Sequence, residues 1–427
     1  MISGNMAMYL AILIFLVTYV FIILEKFDRA VVASIGALLM IVLKIITQQS
    51  AFSEIDFNTL GLLIGMMILV MITKRSGIFE YIALKLVKIA KASPVKIIIF
   101  LSLATGLLSA LLDNVTTILL IIPITLSITN DLGLDPIPFI ITEVFASNVG
   151  GTMTLIGDPP NIIIGSAVGF TFTDFLVNNG PFVLIALVLT IGLFAFRHRK
   201  QLQTTDDKKK QIMDKDETKL IKDKLLLKKS LAVLTMVIVA FLLHGELGYE
   251  SATIAMLGGI ILMLISKMDV EEILSEVEWK TIFFFIGLFI LVGGLKSTGA
   301  IDKLAELVLR LTGGNLVLTT ISILWVSAIA SAFIDNIPFV TTMIPLIIHM
   351  GAISEMNLTP LWWALSLGAC LGGNGTIVGA SANVIAVGIS EKQGYKITFK
   401  KFFKEAFPMM IATIVMATIY LWIAYLK

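Results

Sequence analysis

A pattern of residues recurs in this chain at a constant spacing of 222. Asp28 meets Glu250, Gly36 meets Gly258, Glu54 meets Glu276, Gly65 meets Gly287 and Gly77 meets Gly299. Further on, Ser109 meets Ser331, Asp113-Asn114 meets Asp335-Asn336, Pro123 meets Pro345, and Gly150-Gly151 meets Gly372-Gly373. Thr154, Gly157 and Asn161 meet Thr376, Gly379 and Asn383. After five extra residues the spacing becomes 227, and Thr171-Phe172 and Pro181 meet Thr398-Phe399 and Pro408. One ungapped register over roughly 140 residues marks an internal duplication. Whatever fold one copy adopts, the other must be able to adopt as well.

Each copy is made of apolar runs. The chain is 57% hydrophobic and 15% charged, against roughly a quarter charged in a soluble domain. The runs are about 17–22 residues long, enough to cross a hydrocarbon layer as helices that satisfy their own backbone hydrogen bonds. The short alternating segments of a β-barrel are absent. Spans are predicted at 6–24, 28–47, 56–73, 137–168 and 180–196, and again at 229–245, 250–266, 279–295, 360–390 and 406–425. The run from Met6 to Leu24 lacks a basic n-region and a small-residue cleavage site, so it is expected to stay as a span. The fourth span of each set is too long and too interrupted for one straight helix. Before it lies a further apolar stretch, 95–128 or 315–348, with an Asp-Asn pair near its middle. Five spans per copy is an odd number, so tandem copies must face opposite ways.

The expected fold is therefore an all-α polytopic membrane protein with two inverted-topology repeats. It has about ten transmembrane helices, two re-entrant hairpins and two broken helices, an architecture that transporters use. The first repeat is placed at 1–200, a charged linker at 201–228 and the second repeat at 229–427. The segment 197–229 holds twelve Lys/Arg and six acids, and its basic excess puts it in the cytoplasm. Counting outward leaves both termini outside, Lys26, Arg29 and Lys74-Arg75 inside, and Lys296, Lys303 and Arg310 as exceptions outside. A bacterial inner membrane suits this pattern. The segment 78–91 is amphipathic and reads as an interfacial helix or an ordinary connector.

The chemistry is expected where helices are interrupted. LLDNVTT (111–117) and FIDNIPF (333–339) would form the hairpin tips. An acid inside a membrane is costly and points to function, although Asp113 and Asp335 could equally be helix N-caps. Asn114, Thr117 and Asn336 accompany them. SNVGGTMTLIGDPPN (147–161) and CLGGNGTIVGASAN (370–383) break the long spans. There Asn148, Thr152, Thr154, Asn161, Asn374, Thr376, Ser381 and Asn383 offer neutral oxygen and amide ligands, beside glycines and prolines that free the backbone. Simple capping and kinking is the alternative. Asp158-Pro159-Pro160 aligns with Ala380-Ser381-Ala382, and Glu143 aligns with Leu365. Asp158, Asp113, Asp335 and Glu143 are thus the candidates for proton or cation coupling, with Asp158 foremost. The scarcity of basic residues at the breaks argues against a site built on Arg or Lys. His244 and His349 read as interfacial.

Walker A, zinc-ligand and nucleophile-elbow spacings are missing, so no enzyme is expected, and nothing supports nucleic-acid binding. The lone Cys370 excludes a disulfide framework.

At LLDNVTTILLIIPIT, SNVGGTMTLIGDPPNIII, IDNIPFVTTMIPL and GACLGGNGTIVGASANVIAVGI the chain resembles the ion transporter superfamily. The likeness is to the group of arsenite permeases, NhaD-type sodium/proton antiporters and the melanosomal P protein, with the last nearest. Divalent-anion/sodium symporters are more distant, carrying Ser-Asn-Thr where the hairpins here carry Asp-Asn. The resemblance implies a homodimer in membrane lipid and an elevator motion. It implies a small ion or anion as substrate, and no cofactor or metal beyond Na⁺ or H⁺ as coupling ion. It also implies a soluble ATPase partner if the chain is of the arsenite type. Arsenite or anion permeation, Na⁺/H⁺ exchange and a passive anion channel stay open.

Overall fold

The computed structural model describes residues 4–24 and 26–427, and no strand occurs among them. The chain begins with α1 (Gly4–Leu24), α2 (Arg29–Val42), α3 (Gln48–Ser53), α4 (Phe57–Lys74) and α5 (Ile78–Ile89). A hairpin follows, α6 (Pro94–Ser109) and α7 (Asn114–Leu132), then a broken pair, α8 (Ile137–Gly151) and α9 (Pro159–Val168). Next come α10 (Phe172–Asn178), α11 (Gly180–His198) and α12 (Asp206–Met213). The order then repeats: α13 (Lys224–Leu247), α14 (Ser251–Ser266), α15 (Val270–Ser275), α16 (Trp279–Ser297) and α17 (Ala300–Thr312). The second hairpin is α18 (Leu316–Phe333) and α19 (Asn336–Ile353). The second broken pair is α20 (Thr359–Gly372) and α21 (Ser381–Lys392), and α22 (Phe399–Leu421) closes the chain. Among the described residues nine helices are long and apolar enough to cross a membrane, or ten if one bent pair is a single span.

Several expected spans are shorter or longer than the apolar runs implied. The run at 28–47 yields only the 14 residues of α2, about 21 Å at the helical rise. It stops because Lys44 turns left-handed (φ 55°) and Thr47 caps α3. The expected run at 250–266, by contrast, is matched by the 16-residue α14, which Lys267 ends at φ 59°. Conversely, the hairpin arms α7, α18 and α19 are 19, 18 and 18 residues long, enough to cross by length and composition. The last span lengthens too: α22 starts at Phe399, where 406–425 was expected, and runs through Pro408.

Equivalent contacts recur with the partners exchanged. Gly65 on α4 lies against the backbone of Ala255 on α14, where a Cβ would fall 2.4 Å from the Ala255 carbonyl carbon. Its equivalent, Gly287 on α16, lies against Ala33 on α2, the equivalent of Ala255, at 2.7 Å. A Cβ on Gly150 would fall 2.0 Å from the Gly106 carbonyl oxygen, and one on Gly372 would fall 2.4 Å from that of Ala328. Helices in a bilayer gain no hydrophobic free energy from meeting one another, so close packing of small residues holds them. Polar pairs follow the same exchange: Glu54 pairs with Lys296 at 3.0 Å, and Glu276 pairs with Arg75.

Two features depart from the sequence reading. Helix α17 is amphipathic and stands where α5 stands in the first copy; its Lys303 and Arg310 had looked like exceptions to a charge rule. The charged segment after α11 is a packed strap rather than a free linker. Leu202 and Ile212 are buried, the Lys222 amide donates to the Ser76 carbonyl at 2.9 Å, and Thr204 Oγ1 donates to the Leu132 carbonyl at 2.6 Å. Lys215 reaches Asp131 at 2.5 Å and Lys88 pairs with Glu217.

Candidate functional site

The two hairpin tips and the two helix breaks meet in a buried polar crossing. Each tip is built by an N-cap. Asp113 accepts from the Thr116 amide at 2.8 Å and from the Thr116 hydroxyl, starting α7. Asp335 accepts from the Ile337 amide at 3.1 Å, starting α19. The capping role is therefore real at both aspartates, and it leaves each carboxylate facing the breaks.

The breaks are held open by asparagines. Asn161 Nδ2 donates to the carbonyls of Thr154 (2.9 Å) and Thr152 (3.2 Å), and Asn383 Nδ2 to those of Thr376 (2.7 Å) and Gly373 (2.8 Å). These bonds replace the partners that the interrupted helices lack, as buried carbonyls require. Thr154 and Thr376 turn their hydroxyls onto the hairpins, to the carbonyls of Ala110 and Ala332, both at 2.5 Å. Thr152 bonds the Asn148 carbonyl at 2.8 Å. These three threonines serve the backbone and do not point into the crossing.

Across the crossing, Asn148 Nδ2 donates to Asn383 Oδ1 (2.8 Å) and Asn374 Oδ1 (3.1 Å), while its Oδ1 accepts from Asn114 (3.1 Å). The exchanged contact is Cys370, the equivalent of Asn148, against Asn161 Oδ1 at 3.5 Å. Ser366 adds a bond to the same oxygen at 2.6 Å and receives one from Asn179 at 2.9 Å. Asn336 Nδ2 lies 3.4 Å from Asp158 Oδ1. Four polar atoms here are buried without a partner: Asp158 Oδ2, Thr117 Oγ1, Asn179 Oδ1 and the Asn374 amide nitrogen.

The copies diverge sharply at the tips. Beside Asp335, Arg29 Nη1 donates to Asp335 Oδ2 at 2.8 Å and to Ser381 Oγ at 2.5 Å, and Ser381 donates to Asp335 at 2.8 Å. Arg29 also lies over the Phe284 ring, 5.0 Å from its centroid. Among the described residues neither Asp113 nor Asp158 is in an ion pair. A cavity of about 220 Å³ opens beside Arg29, Asp335 and Ser381. Arg29 is thus a base at the second break, which the scarcity of basic residues in the motifs themselves does not reveal. Counting spans back from the basic segment places it in a cytoplasmic loop, and its partner lies 306 residues away. Its presence in the first copy only, opposite Ser251, was the available signal.

Glu143 is buried on α8 but stays outside the crossing; Thr125 donates to it at 2.8 Å and its second oxygen has no partner. His244 is structural, its Nε2 accepting from the Phe172 amide at 3.0 Å. His349 stands 3.1 Å from Asp302, in the first turn of α17. Among the described residues no cluster of three or more His, Cys, Asp or Glu is arranged to hold a metal.

Membrane-length helices around a buried amide and carboxylate crossing, framed by two hairpins and two broken helices, define a polytopic membrane transporter. Residues 19–368 match the CitMHS family, described as citrate transporter, and the chain belongs to this family. It is 43% identical over 421 residues to an uncharacterized transporter of Mycobacterium bovis, covering 97% of this chain and 98% of that one. It is 35% identical over 495 residues to the human P protein, covering 95% of this chain but 59% of the P protein. The crystal structure of the Alcanivorax borkumensis YdaH transporter, at 14% identity, shares the fold with a TM-score of 0.61 over 99% of this chain and 98% of that one.

Proposed function

We propose that the chain is a secondary active transporter that moves a small ion or anion coupled to H⁺ or Na⁺ by elevator-type alternating access. The observation that carries this reading is Asp158, a buried carboxylate with one oxygen on Asn336 and the other without a partner. A buried lone carboxylate oxygen costs free energy until a proton or cation satisfies it. The site thus has a place for a coupling ion, and Asp113 lies on the adjoining tip. In this reading the units 1–200 and 229–427 sit in opposite orientations, the strap 201–228 is cytoplasmic and both termini are outside. Helices α2, α4, α14 and α16 form the scaffold of a homodimer; the hairpins and broken helices move against it.

The substrate is read as an anion because the family is described as citrate transporter and because α21 starts at Ala380 without a side-chain cap. An uncapped helix start favours negative charge. Na⁺/H⁺ exchange is the second reading, favoured by the buried carboxylates of Asp113 and Asp158, neither in an ion pair among the described residues.

The test is purified protein in liposomes with an internal pH dye and imposed gradients of Na⁺, Li⁺, arsenite, chloride, citrate and dicarboxylates. An anion-dependent proton or sodium flux is expected, and Asp158→Asn should abolish the coupling. Cation exchange without any anion would select the antiporter. Uncoupled anion current would select a channel and overturn the proposal.

A further inference from the structure

The ion pair at Asp335 joins parts of the molecule that must separate if the site moves. Arg29 begins α2, which packs against α16 and α1. Its guanidinium reaches the starts of α19 and α21, bonding Asp335 at 2.8 Å and Ser381 at 2.5 Å. It is held on the other side by the Phe284 ring of α16. The guanidinium fills the place a coupling cation would take: a carboxylate oxygen and a hydroxyl oxygen around one positive charge. At the other tip, Pro159 replaces Ser381 and Ser251 replaces Arg29 in the alignment. There Asp113 has no such tethered cation among the described residues.

We infer that Arg29 is the release residue of the transport cycle, a tethered cation that takes the coupling ion's place at Asp335 in this conformation. This rests on the cation-coupled reading above. A tethered group competes at high effective concentration because its linker keeps it near the site. When the tip moves away from α2, Asp335 loses Arg29 and must take up H⁺ or Na⁺ to stay neutral. When the tip returns, Arg29 displaces that ion. Arg29 thus positions the coupling ion's departure and does not bind substrate.

The test compares net uptake with substrate counterflow in liposomes for wild type, Arg29→Gln and Arg29→Gln/Asp335→Asn. Counterflow needs no ion release, whereas net uptake does. In Arg29→Gln, net uptake should fall by about 5- to 150-fold while counterflow persists. A second measurement reads the thermal midpoint in detergent with and without Na⁺, and across pH. Arg29→Gln should gain a midpoint increase with Na⁺ or with acidification, because an ion that binds only the folded state stabilises it. The double variant should lack that increase. Equal loss of net uptake and counterflow without any new ion-dependent increase would overturn the inference, as would wild-type net uptake in Arg29→Gln. If wild type shows no coupling, the functional reading fails, and the midpoint arm decides the inference alone.

Discussion

The two hairpin tips have the same capping aspartate, the same following asparagine and the same threonine-to-hairpin bond behind them, yet they present opposite electrostatics. Around Asp113 the structure places no ion-pairing base among the described residues, and Thr116 takes both carboxylate oxygens. Around Asp335 it places Arg29 and Ser381. Where the copies agree, the shared residues build the backbone; where they differ, the difference is in charge. A second pair of regions teaches the same. The cavity between α5 and α7, about 320 Å³, is lined by Glu80 and Ser127 and includes Ile212, Lys215 and Leu220 of the strap. Its counterpart between α17 and α19, about 480 Å³, is lined by Asp302, His349 and Lys296. Equivalent positions at the two faces thus carry different ionisable groups.

The shared framework can be broken at its closest approaches. Gly150→Ala and Gly372→Ala should damage the two copies alike, since each Cβ would meet backbone, at 2.0 and 2.4 Å. A loss of about 3 kcal/mol or more is expected for each, seen as low yield of folded protein and a reduced thermal midpoint. A loss confined to one copy would break the equivalence.

The crossing itself should be less even. Asn148→Ala removes bonds to Asn383, Asn374 and Asn114, leaving buried amide groups that cost about 1–3 kcal/mol. Cys370→Ala removes one contact at 3.5 Å and should shift the thermal midpoint far less. Equal shifts would show that the asparagine relay is not what joins the breaks.

Smaller effects sharpen the comparison further. Glu54→Gln and Glu276→Gln each break one partly exposed ion pair, so each should cost no more than about 1 kcal/mol in denaturant or thermal unfolding. The smallest effect is expected at the strap. The Lys88 ammonium holds the Glu217 carboxyl below its usual range. A carboxyl held low favours the docked form above its ordinary pKa, and that advantage fades as pH falls through the docked value. Strap cleavage by a protease tolerant of acid should therefore rise at low pH in wild type, and be already raised at neutral pH in Lys88→Ala. No difference at neutral pH would remove Glu217 from the docking.

Much of the fold was readable from spacing. The duplication, both hairpins and both helix breaks follow from Asp-Asn and Gly-Gly motifs whose local effects on the backbone are strong. Helix ends were read less well: α2 stops inside an apolar run, and α22 continues through Pro408 where α10 and α11 separate at Asn179-Gly180. Hydrophobicity does not mark such ends, because a left-handed residue or a cap sets them. Of the site, the sequence pointed to Asp158 and the asparagines, but not to Arg29, Ser366, Cys370 or Asn179. Those residues carry no motif of their own, and their roles come from partners hundreds of residues away.

By itself, then, the amino-acid order determined that this is a duplicated helical membrane protein whose interruptions lie at four defined places. Those properties arise from near neighbours along the chain: apolar run length, caps, glycines and prolines. Only the tertiary structure decided that Arg29 joins the second tip and that Asp158 keeps one carboxylate oxygen without a partner. Those properties depend on packing between distant helices, where the position of a charge matters more than its place in the sequence.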